Sequence, residues 1–460
     1  MFKAATAVRT TTLILVACDA NFPIFVLAGY GAVRYGDPLA VLLAQPWLLL
    51  TAFAFPVSFA LAERYQLRSS WRSLRASARI IAATLAVVGI FTLAGYFAGG
   101  LTGQRELFPI LAAAMVAEVF LVRGIVALRT RRARAVHAAL VVGAGSDGCT
   151  VIDCTLRDPR LRVRVVGFID DDPLKRNHQH RGVSVVGTGE NLLDEATGNG
   201  VDLIVVAVNR PQNAQLIKNL LHLKMRGVEV IEMPAFYERA TGQCPLKHVQ
   251  DSWFLYATGF DYLHRPYLQM LKRGIDLLLS LSGLALSLPL LGIVAILIKL
   301  ESRGPTFTHL ERVGKDEKRF PLMKLRTLRG DAGLSDALEL ATVRDYRVTR
   351  IGRWLRQTRL DEIPQFINVI RGEMSFIGPR AEQPLVVERL KKDIPYFMLR
   401  FAVRPGLTGW AQVQNGFGTT SEDAVEKLKY DLYYMKNMSF MLDGFIVLKT
   451  LKVVLFARGN

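Results

Sequence analysis

Cysteine is nearly absent from this chain of 460 residues: Cys18, Cys149, Cys154 and Cys244 are all there are, and none forms a CxxC or a metal-binding spacing. A disulfide framework is therefore excluded, and reduced structural thiols are the reading. Histidine is also scarce, seven in all. His178 and His180 sit close together in a polar loop with no further ligands nearby, so they read as solvated loop histidines. No tyrosine is followed four positions later by lysine, which removes the proton-transfer pair that an NAD-dependent nucleotide-sugar dehydratase or epimerase of the short-chain type needs. Acidic residues are few, 40 against 58 lysines and arginines, for a formal charge of +18. Such a surplus suits nucleic acid, an anionic bilayer or phosphorylated substrates. Long apolar runs in the same chain favour lipid headgroups and phosphate over nucleic acid.

What is present is unevenly spread. Four apolar stretches fill the first third, at about Thr11–Val33, Leu39–Leu61, Ile80–Ala98 and Leu107–Leu128. Each is close to the ~20 residues that cross a hydrocarbon core. Arg64, Arg68, Arg72, Arg75 and Arg79 lie between the second and third, and Arg129, Arg131, Arg132 and Arg134 follow the fourth. The other connections carry little charge, so the positive-inside rule puts both ends of a four-helix transmembrane domain, residues 1–132, in the cytoplasm. The first stretch lacks a small-residue cleavage site and reads as a retained anchor. Glu118, within the fourth, is either functional or packed inside the bundle.

From residue 133 to 262 short β-rich runs alternate with helical ones, which predicts a parallel, Rossmann-like α/β domain. Ala139-Leu-Val-Val-Gly143 is a buried-strand pattern, and Gly143-Ala-Gly145-Ser-Asp-Gly148 fits GxGxxG directly after it. Asp170 ends the next strand, about where a ribose-binding acid sits. Two readings stay open: an unidentified nucleotide held through Gly143, Gly145, Gly148 and Asp170, or an α/β domain that binds nothing.

The last part, 263–460, opens on another apolar run, Ile275–Ile298. Ser287-Leu-Pro289 interrupts it, and both flanks are basic, with Lys272 and Arg273 before and Arg303 and Arg312 after. A helix over 272–300 that enters the membrane, breaks and returns to the same face accounts for both facts. Leu385–Phe401 and Leu442–Phe456 mix apolar and basic residues at helical spacing, as interfacial or core-facing helices do.

The densest constellation runs from Gly352 to Arg380, where Asp361 and Glu362 follow Arg353, Arg356 and Arg359, and precede Pro364. Two acids there complement a helix N-terminus. Equally, a carboxylate among guanidinium groups stays ionised and can attack phosphorus once the phosphate charge is neutralised. By composition the two accounts stand level.

The stretch resembles the signature of the bacterial sugar transferase family, the polyprenyl-phosphate hexose-1-phosphate transferases. Further elements keep the family's order: Ser302-Arg-Gly-Pro305, Glu311-Arg-Val-Gly314, Phe320-Pro-Leu-Met-Lys-Leu-Arg-Thr327, Arg404-Pro-Gly-Leu-Thr-Gly-Trp-Ala-Gln-Val413, Asp431-Leu-Tyr-Tyr434 and Leu442-Asp443. The similarity covers roughly the last 190 residues, and the domain layout resembles the family's large monotopic subclass. It implies a membrane protein built of a four-helix transmembrane bundle, a Rossmann-like α/β domain and a mainly α catalytic domain with a re-entrant helix. It implies Asp361 as nucleophile and Glu362 as its partner, the two carboxylates holding Mg²⁺ or handling a proton. Lys324, Arg326, Arg356, Arg380 and Arg404 would cradle the diphosphate or uridine, Asp431 would support the site, and Ser287 and Pro289 would form the helix break. Arg359 stands where the family usually has a small hydroxyl residue, Leu310 where glutamine is frequent, and Ala381 in place of proline. After Gln-Val the usual N-G-R appears as Gln414-Asn415-Gly416-Phe417. These departures bear on sugar selectivity rather than reaction class.

The expectation is a multi-pass enzyme of a bacterial inner membrane, its catalytic domain facing the cytoplasm. It would move hexose-1-phosphate from a UDP-sugar to undecaprenyl phosphate through an aspartyl phosphosugar, releasing UMP and starting exopolysaccharide, capsule or O-antigen synthesis. Glucose-1-phosphate comes first and galactose-1-phosphate second, by family frequency, and a homodimer is left open. A non-enzymatic membrane scaffold would leave Asp361 and Glu362 unexplained.

Overall fold

The computed structural model describes residues 2–52, 54–56, 74–97, 106–131, 136–208, 213–248, 251–257, 259–329, 348–414 and 420–455. The chain divides into two compact units, Met1–Glu232 and Met233–Asn460, the second beginning before position 263 where the sequence places its last boundary.

The first unit opens on helices α1 (Phe2–Tyr35), α2 (Ala40–Ala44), α3 (Leu74–Phe97) and α4 (Leu107–Arg131). Leu27, Val41, Leu48, Phe55, Val87, Leu111 and Met115 bury one another in a shared apolar core, and Glu118 is buried on the same helix as Met115. The second expected span is not one helix. Chain that starts helical at Ala40 stops at Gln45, which lies at φ −137°, ψ 72°, and resumes as a 3₁₀ turn at Pro46–Leu50. Proline at 46 explains this, because its ring drives the preceding residue out of the helical region. Residues 57–61 of that stretch lie outside the described residues, as do Arg64, Arg68, Arg72, Arg132 and Arg134. Among the described residues only Pro266–Glu301 is long and apolar enough to cross a membrane, with Ile81–Leu93 and Leu107–Val122 as shorter apolar helices.

A six-stranded sheet follows, ordered β3-β4-β2-β1-β5-β6. Its strands are β1 (His137–Val142), β2 (Val163–Ile169), β3 (Gln179–His180), β4 (Val183–Gly187), β5 (Leu203–Val206) and β6 (Glu229–Glu232). All pairings are parallel except β3 with β4. The β1 and β5 runs are nearly all apolar because strands covered on both faces have no solvent side. Helices α5 (Ser146–Arg157), α6 (Leu192–Gly198) and α7 (Ala214–Met225) connect the strands, and Leu140, Ile204, Leu216 and Leu220 lie in the sheet's core.

The second unit begins with α8 (Met233–Thr241) and short turns, then α9, a helix from Pro266 to Glu301. A hairpin of β7 (Phe307–Val313) and β8 (Arg319–Leu325) precedes α10 (Arg350–Thr358) and α11 (Gln365–Arg371). β9 (Ser375–Ile377) and β10 (Gly406–Thr408) pair in parallel around α12 (Pro384–Asp393), and α13 (Ser421–Lys436) and α14 (Phe440–Leu455) close the unit. The expected single helix over 385–401 is broken: α12 ends at Asp393, Tyr396 takes a left-handed conformation, and 397–402 is 3₁₀. In α14, Leu442 and Ile446 join the core while Phe440 and Phe445 stay exposed.

Helix α9 runs through Ser287 and Pro289 without interruption, which corrects the expected break. A proline inside a helix removes one hydrogen bond, and 36 residues of helix supply enough others to carry the chain across it. Ser287 Oγ donates to the Leu284 carbonyl at 3.0 Å, a contact that bends helices without ending them. Both ends of α9 are tied to the same unit. Near its start Lys272 donates to Asp443 at 2.6 Å and Asp276 accepts from Ser375 Oγ at 2.7 Å. Near its end Val294 and Ile298 pack with Leu325 and Leu355, and the Glu301 carboxylate caps α10 by accepting from Arg350 N and Ile351 N at 2.6 and 3.0 Å. Between these ties the outward face is apolar and bare, with Leu286 83% and Leu300 79% exposed.

Asn368 fastens the hairpin to α11. Its side chain, fully buried, accepts from Met323 N at 3.0 Å and donates to the Pro321 carbonyl at 2.8 Å and to Glu373 at 2.6 Å. Replacement by alanine strands buried backbone groups, each costing about 1–3 kcal/mol. Asn368→Ala is therefore expected to lower the melting temperature of the second unit, followed by its tryptophan fluorescence in detergent, well beyond the effect of Asn199→Ala at an exposed position.

Candidate active site

The site is assembled from the β8 edge, the α10–α11 turn and the loop after β9. Thr349 caps α10 by accepting from Gly352 N at 2.9 Å. The helix ends where Arg359 turns left-handed, at φ 57°, a conformation that is uncommon without glycine. A 3₁₀ turn, Leu360–Glu362, then delivers both carboxylates just ahead of α11, with Pro364 at its N-cap position.

Asp361 is buried, 8% exposed, and Glu362 stands beside it. Lys324, from β8, donates to Glu362 Oε1 at 2.8 Å and lies 3.7 Å from Asp361 Oδ2. Arg380 Nη2 is 3.7 Å and Arg359 Nη1 3.9 Å from the Glu362 carboxylate. Burial acts to raise the pKa of Glu362, but Lys324, Arg380 and Arg359 outweigh it and hold the group below the usual carboxylate range. Asp361 goes the other way. Burial raises it, Lys324 opposes, and the neighbouring Glu362 charge adds to the rise. Two adjacent acids are thus driven apart, one held below and the other above the usual carboxylate range.

Arg356 Nε donates to Thr327 Oγ1 at 2.9 Å, and its charge reaches Asp361. Arg380 follows a tight backbone crossing. Gly406 N donates to the Pro379 carbonyl at 2.8 Å and Gly378 N to the Thr408 carbonyl at 2.9 Å. A Cβ at Gly378 or Gly406 would run into backbone atoms of the other segment, which is why glycines stand there. The two motifs ending at Arg380 and starting at Arg404 are therefore halves of one structure.

Not every expected residue meets the dyad. Arg326 is buried and its guanidinium donates to the carbonyls of Ser302 (2.6 Å) and Arg303 (3.0 Å), and to Ser302 Oγ (2.9 Å), clasping the end of α9. Arg404 is exposed, its charge acting on Tyr262. Asp431 is fully buried and pairs with Arg400 Nη2 at 2.9 Å; burial, opposed by Arg400, pushes it up to about 6. Arg400 Nη2 also donates to the Arg380 carbonyl at 3.0 Å, so Asp431 acts on the site through Arg400. The sequence reading missed Arg400, hidden in a segment patterned as one amphipathic helix. Arg312 was noted for its charge and as part of the Glu311–Gly314 motif, with no role given to it. A cleft lined by Val313, Pro379, Arg380, Arg400 and Phe401 opens alongside. Leu310 and Ala381, two departures from the family pattern, pack together around Phe320, Leu322 and Val369.

In the first unit, Gly143 follows β1 at φ 104°, and a side chain at Gly148 would overlap the Gly143 carbonyl and Phe168. Gly145 caps α5. Asp170 accepts from Ala144 N at 2.7 Å and from Lys175 Nζ at 3.1 Å. His180 bonds Asp153 at 3.2 Å, and His178 lies 3.7 Å from the Cys149 sulfur. Among the described residues no group of three or more His, Cys, Asp or Glu is placed to hold a metal.

The family model described as "Bacterial sugar transferase" matches residues 267–457, and one described as "CoA-binding domain" matches 60–234. An Aeromonas hydrophila protein named UDP-N-acetylgalactosamine-undecaprenyl-phosphate N-acetylgalactosaminephosphotransferase is 38% identical over 232 residues, 50% of this chain and 53% of that one. A Komagataeibacter xylinus undecaprenyl-phosphate glucose phosphotransferase is 30% identical over 341 residues, 72% of this chain and 61% of its own. The chain thus spans little more than half of these two relatives. The exopolysaccharide production protein PSS of Rhizobium leguminosarum bv. phaseoli is 38% identical over 189 residues, 39% of this chain and 93% of that one. With nearly all of that relative matched, and the family model laid over the unit that holds Asp361 and Glu362, the chain belongs to the bacterial sugar transferase family.

Proposed function

We propose that this protein transfers a hexose-1-phosphate from a UDP-sugar to undecaprenyl phosphate at the cytoplasmic face of a bacterial inner membrane, beginning a surface polysaccharide. The observation that carries the reading is the buried Asp361 beside Lys324 and a separately ionised Glu362. Its relatives' names supply the substrate class, with N-acetylgalactosamine in one and glucose in another.

In the first half-reaction an Asp361 carboxylate oxygen attacks the β-phosphorus of the UDP-sugar. The bond from that phosphorus to the bridging oxygen breaks, and its electron pair leaves with UMP. In the second, a phosphate oxygen of the polyprenyl carrier attacks the same phosphorus, forming the lipid diphosphate and returning the carboxylate. Lys324 and the arginines around Glu362 neutralise charge on the phosphoryl oxygens, the main need of phosphoryl transfer. Asp361 and Glu362 are the carboxylates that would hold Mg²⁺, which would supply further charge neutralisation there.

The bare apolar face of α9 and the attachment of both its ends to one unit support a continuous helix that lies along the bilayer surface with that face turned to the lipid. On this reading the dyad lies at the headgroup level, within reach of a lipid phosphate.

Asp361→Asn is expected to abolish UMP release and covalent labelling by phosphosugar while melting no lower than wild type, since a buried carboxylate with a raised pKa is a cost to the fold when ionised. UMP release at the wild-type rate by that variant would refute the assignment. A panel of UDP-glucose, UDP-galactose and UDP-N-acetylgalactosamine, scored for UMP, identifies the sugar.

Because Asp361 must be ionised to attack, kcat/KM is expected to fall as pH drops through its raised pKa, an acid limb above the ordinary carboxylate range. Lys324→Met removes a stabilising positive charge and moves that limb to higher pH. Glu362→Gln removes a negative neighbour and moves the residual activity's limb lower. Limbs that do not separate in these directions would place the titration elsewhere.

A further inference from the structure

Beyond the dyad, one cation of the site has no evident task. Arg312 lies near the end of β7, where register pairs it with Phe320 of β8, as Leu310 pairs with Leu322 and Thr308 with Lys324. Directly paired residues share a face of a β-ribbon, so Arg312 and Lys324 stand on the same face. The two are four positions apart, about 13 Å along the strand. Val313 N donates to the Glu382 carbonyl at 3.0 Å, which holds Arg312 against the 380–382 segment. The Nε–H of Arg312 is buried and finds no hydrogen-bond partner among the described residues.

An unmatched buried donor on a cation is expensive, and the surroundings do not offset it. Burial and the like charge of Arg380 both disfavour the Arg312 cation, while Glu382 and Glu362 favour it. Those carboxylates are already claimed: Glu362 by Lys324, Arg359 and Arg380, and Glu382 by Arg400 at 3.9 Å. An anion beside the Arg312 Nε–H would supply the acceptor that the described residues do not.

The geometry assigns Arg312 to the phosphate that departs with the nucleotide. Lys324 faces Asp361, where the transferred phosphoryl group must sit, and Arg312 stands four register positions along the same face, beside Arg380. The next phosphate along a nucleoside diphosphate falls between them, and a guanidinium with a spare Nε–H suits its oxygens. The assignment rests on the transferase reading and adds which half of the donor this residue holds. UMP therefore binds through Arg312 by its phosphate.

The test uses UMP itself as probe, titrated against the full-length protein in detergent and read as a thermal shift, with no turnover required. Arg312→Gln is expected to weaken UMP binding about tenfold, the loss of one charge-assisted hydrogen-bonded contact. Arg312→Lys, which keeps the charge and most of the stem, should fall between and serves if the glutamine variant does not fold. Uridine, which lacks the phosphate, should bind variant and wild type alike, a split that a merely structural role would not produce. Unchanged UMP affinity in both variants, or an equal loss of uridine and UMP binding, would overturn the assignment. A wild type that binds UMP yet transfers no phosphosugar would count against the transferase reading and leave the Arg312 comparison standing.

Discussion

Everything in the second unit depends on how one carboxylate, Glu362, is kept charged in a buried place. It does so by sharing Lys324, Arg359 and Arg380, three cations brought from three separate segments. An ionised acid removed from water is tolerated only with such partners. Once Glu362 is fixed as the anion, Asp361 beside it faces desolvation and a like charge together, and its proton is held more tightly. Both shifts therefore come from one arrangement, and the basicity that burial gives Asp361 suits the nucleophile's part in the proposed reaction.

The scaffold around the dyad is stiff for reasons visible in its backbone. Gly378 and Gly406 allow two segments to cross with no side chain between them, and that crossing sets where Arg380 starts. Arg400, between Asp431 and the Arg380 carbonyl, braces the loop from behind. Asn368 ties β8, and hence Lys324, to the helix that follows the dyad. These contacts act through position rather than by touching substrate, and they connect motifs far apart in the chain.

Helix α9 joins this scaffold to its surroundings. Lys272 and Asp276 fasten its start next to β9, and Arg326 and Glu301 fasten its end next to β8 and α10. The segments that bear Arg380, Lys324 and Arg356 are thus each attached to the same apolar helix. A displacement of α9 therefore moves the surroundings of the dyad with it, because packed elements do not deform independently.

Much of this was legible in the linear chain. Asp361, Glu362, Lys324, Arg356 and Arg380 stand in ordered motifs, and motif order survives because backbone crossings such as that at Gly378 and Gly406 admit few alternatives. The strand–helix alternation of the parallel sheet was equally plain, since strands buried on both faces write their burial into composition. Other features were decided only in three dimensions. Nothing in local pattern separates Arg326, folded back onto carbonyls, from Arg380, turned to the dyad; both are arginines in basic motifs. Arg400 was concealed for the same reason. The unbroken passage of α9 through Pro289 was also unreadable, as a proline reports one lost hydrogen bond and not the bonds around it. Sequence on its own determined which chemical groups are available and in what order; only tertiary packing decided which charges meet, because Coulomb and hydrogen-bond partners are chosen by distance through space and not along the chain.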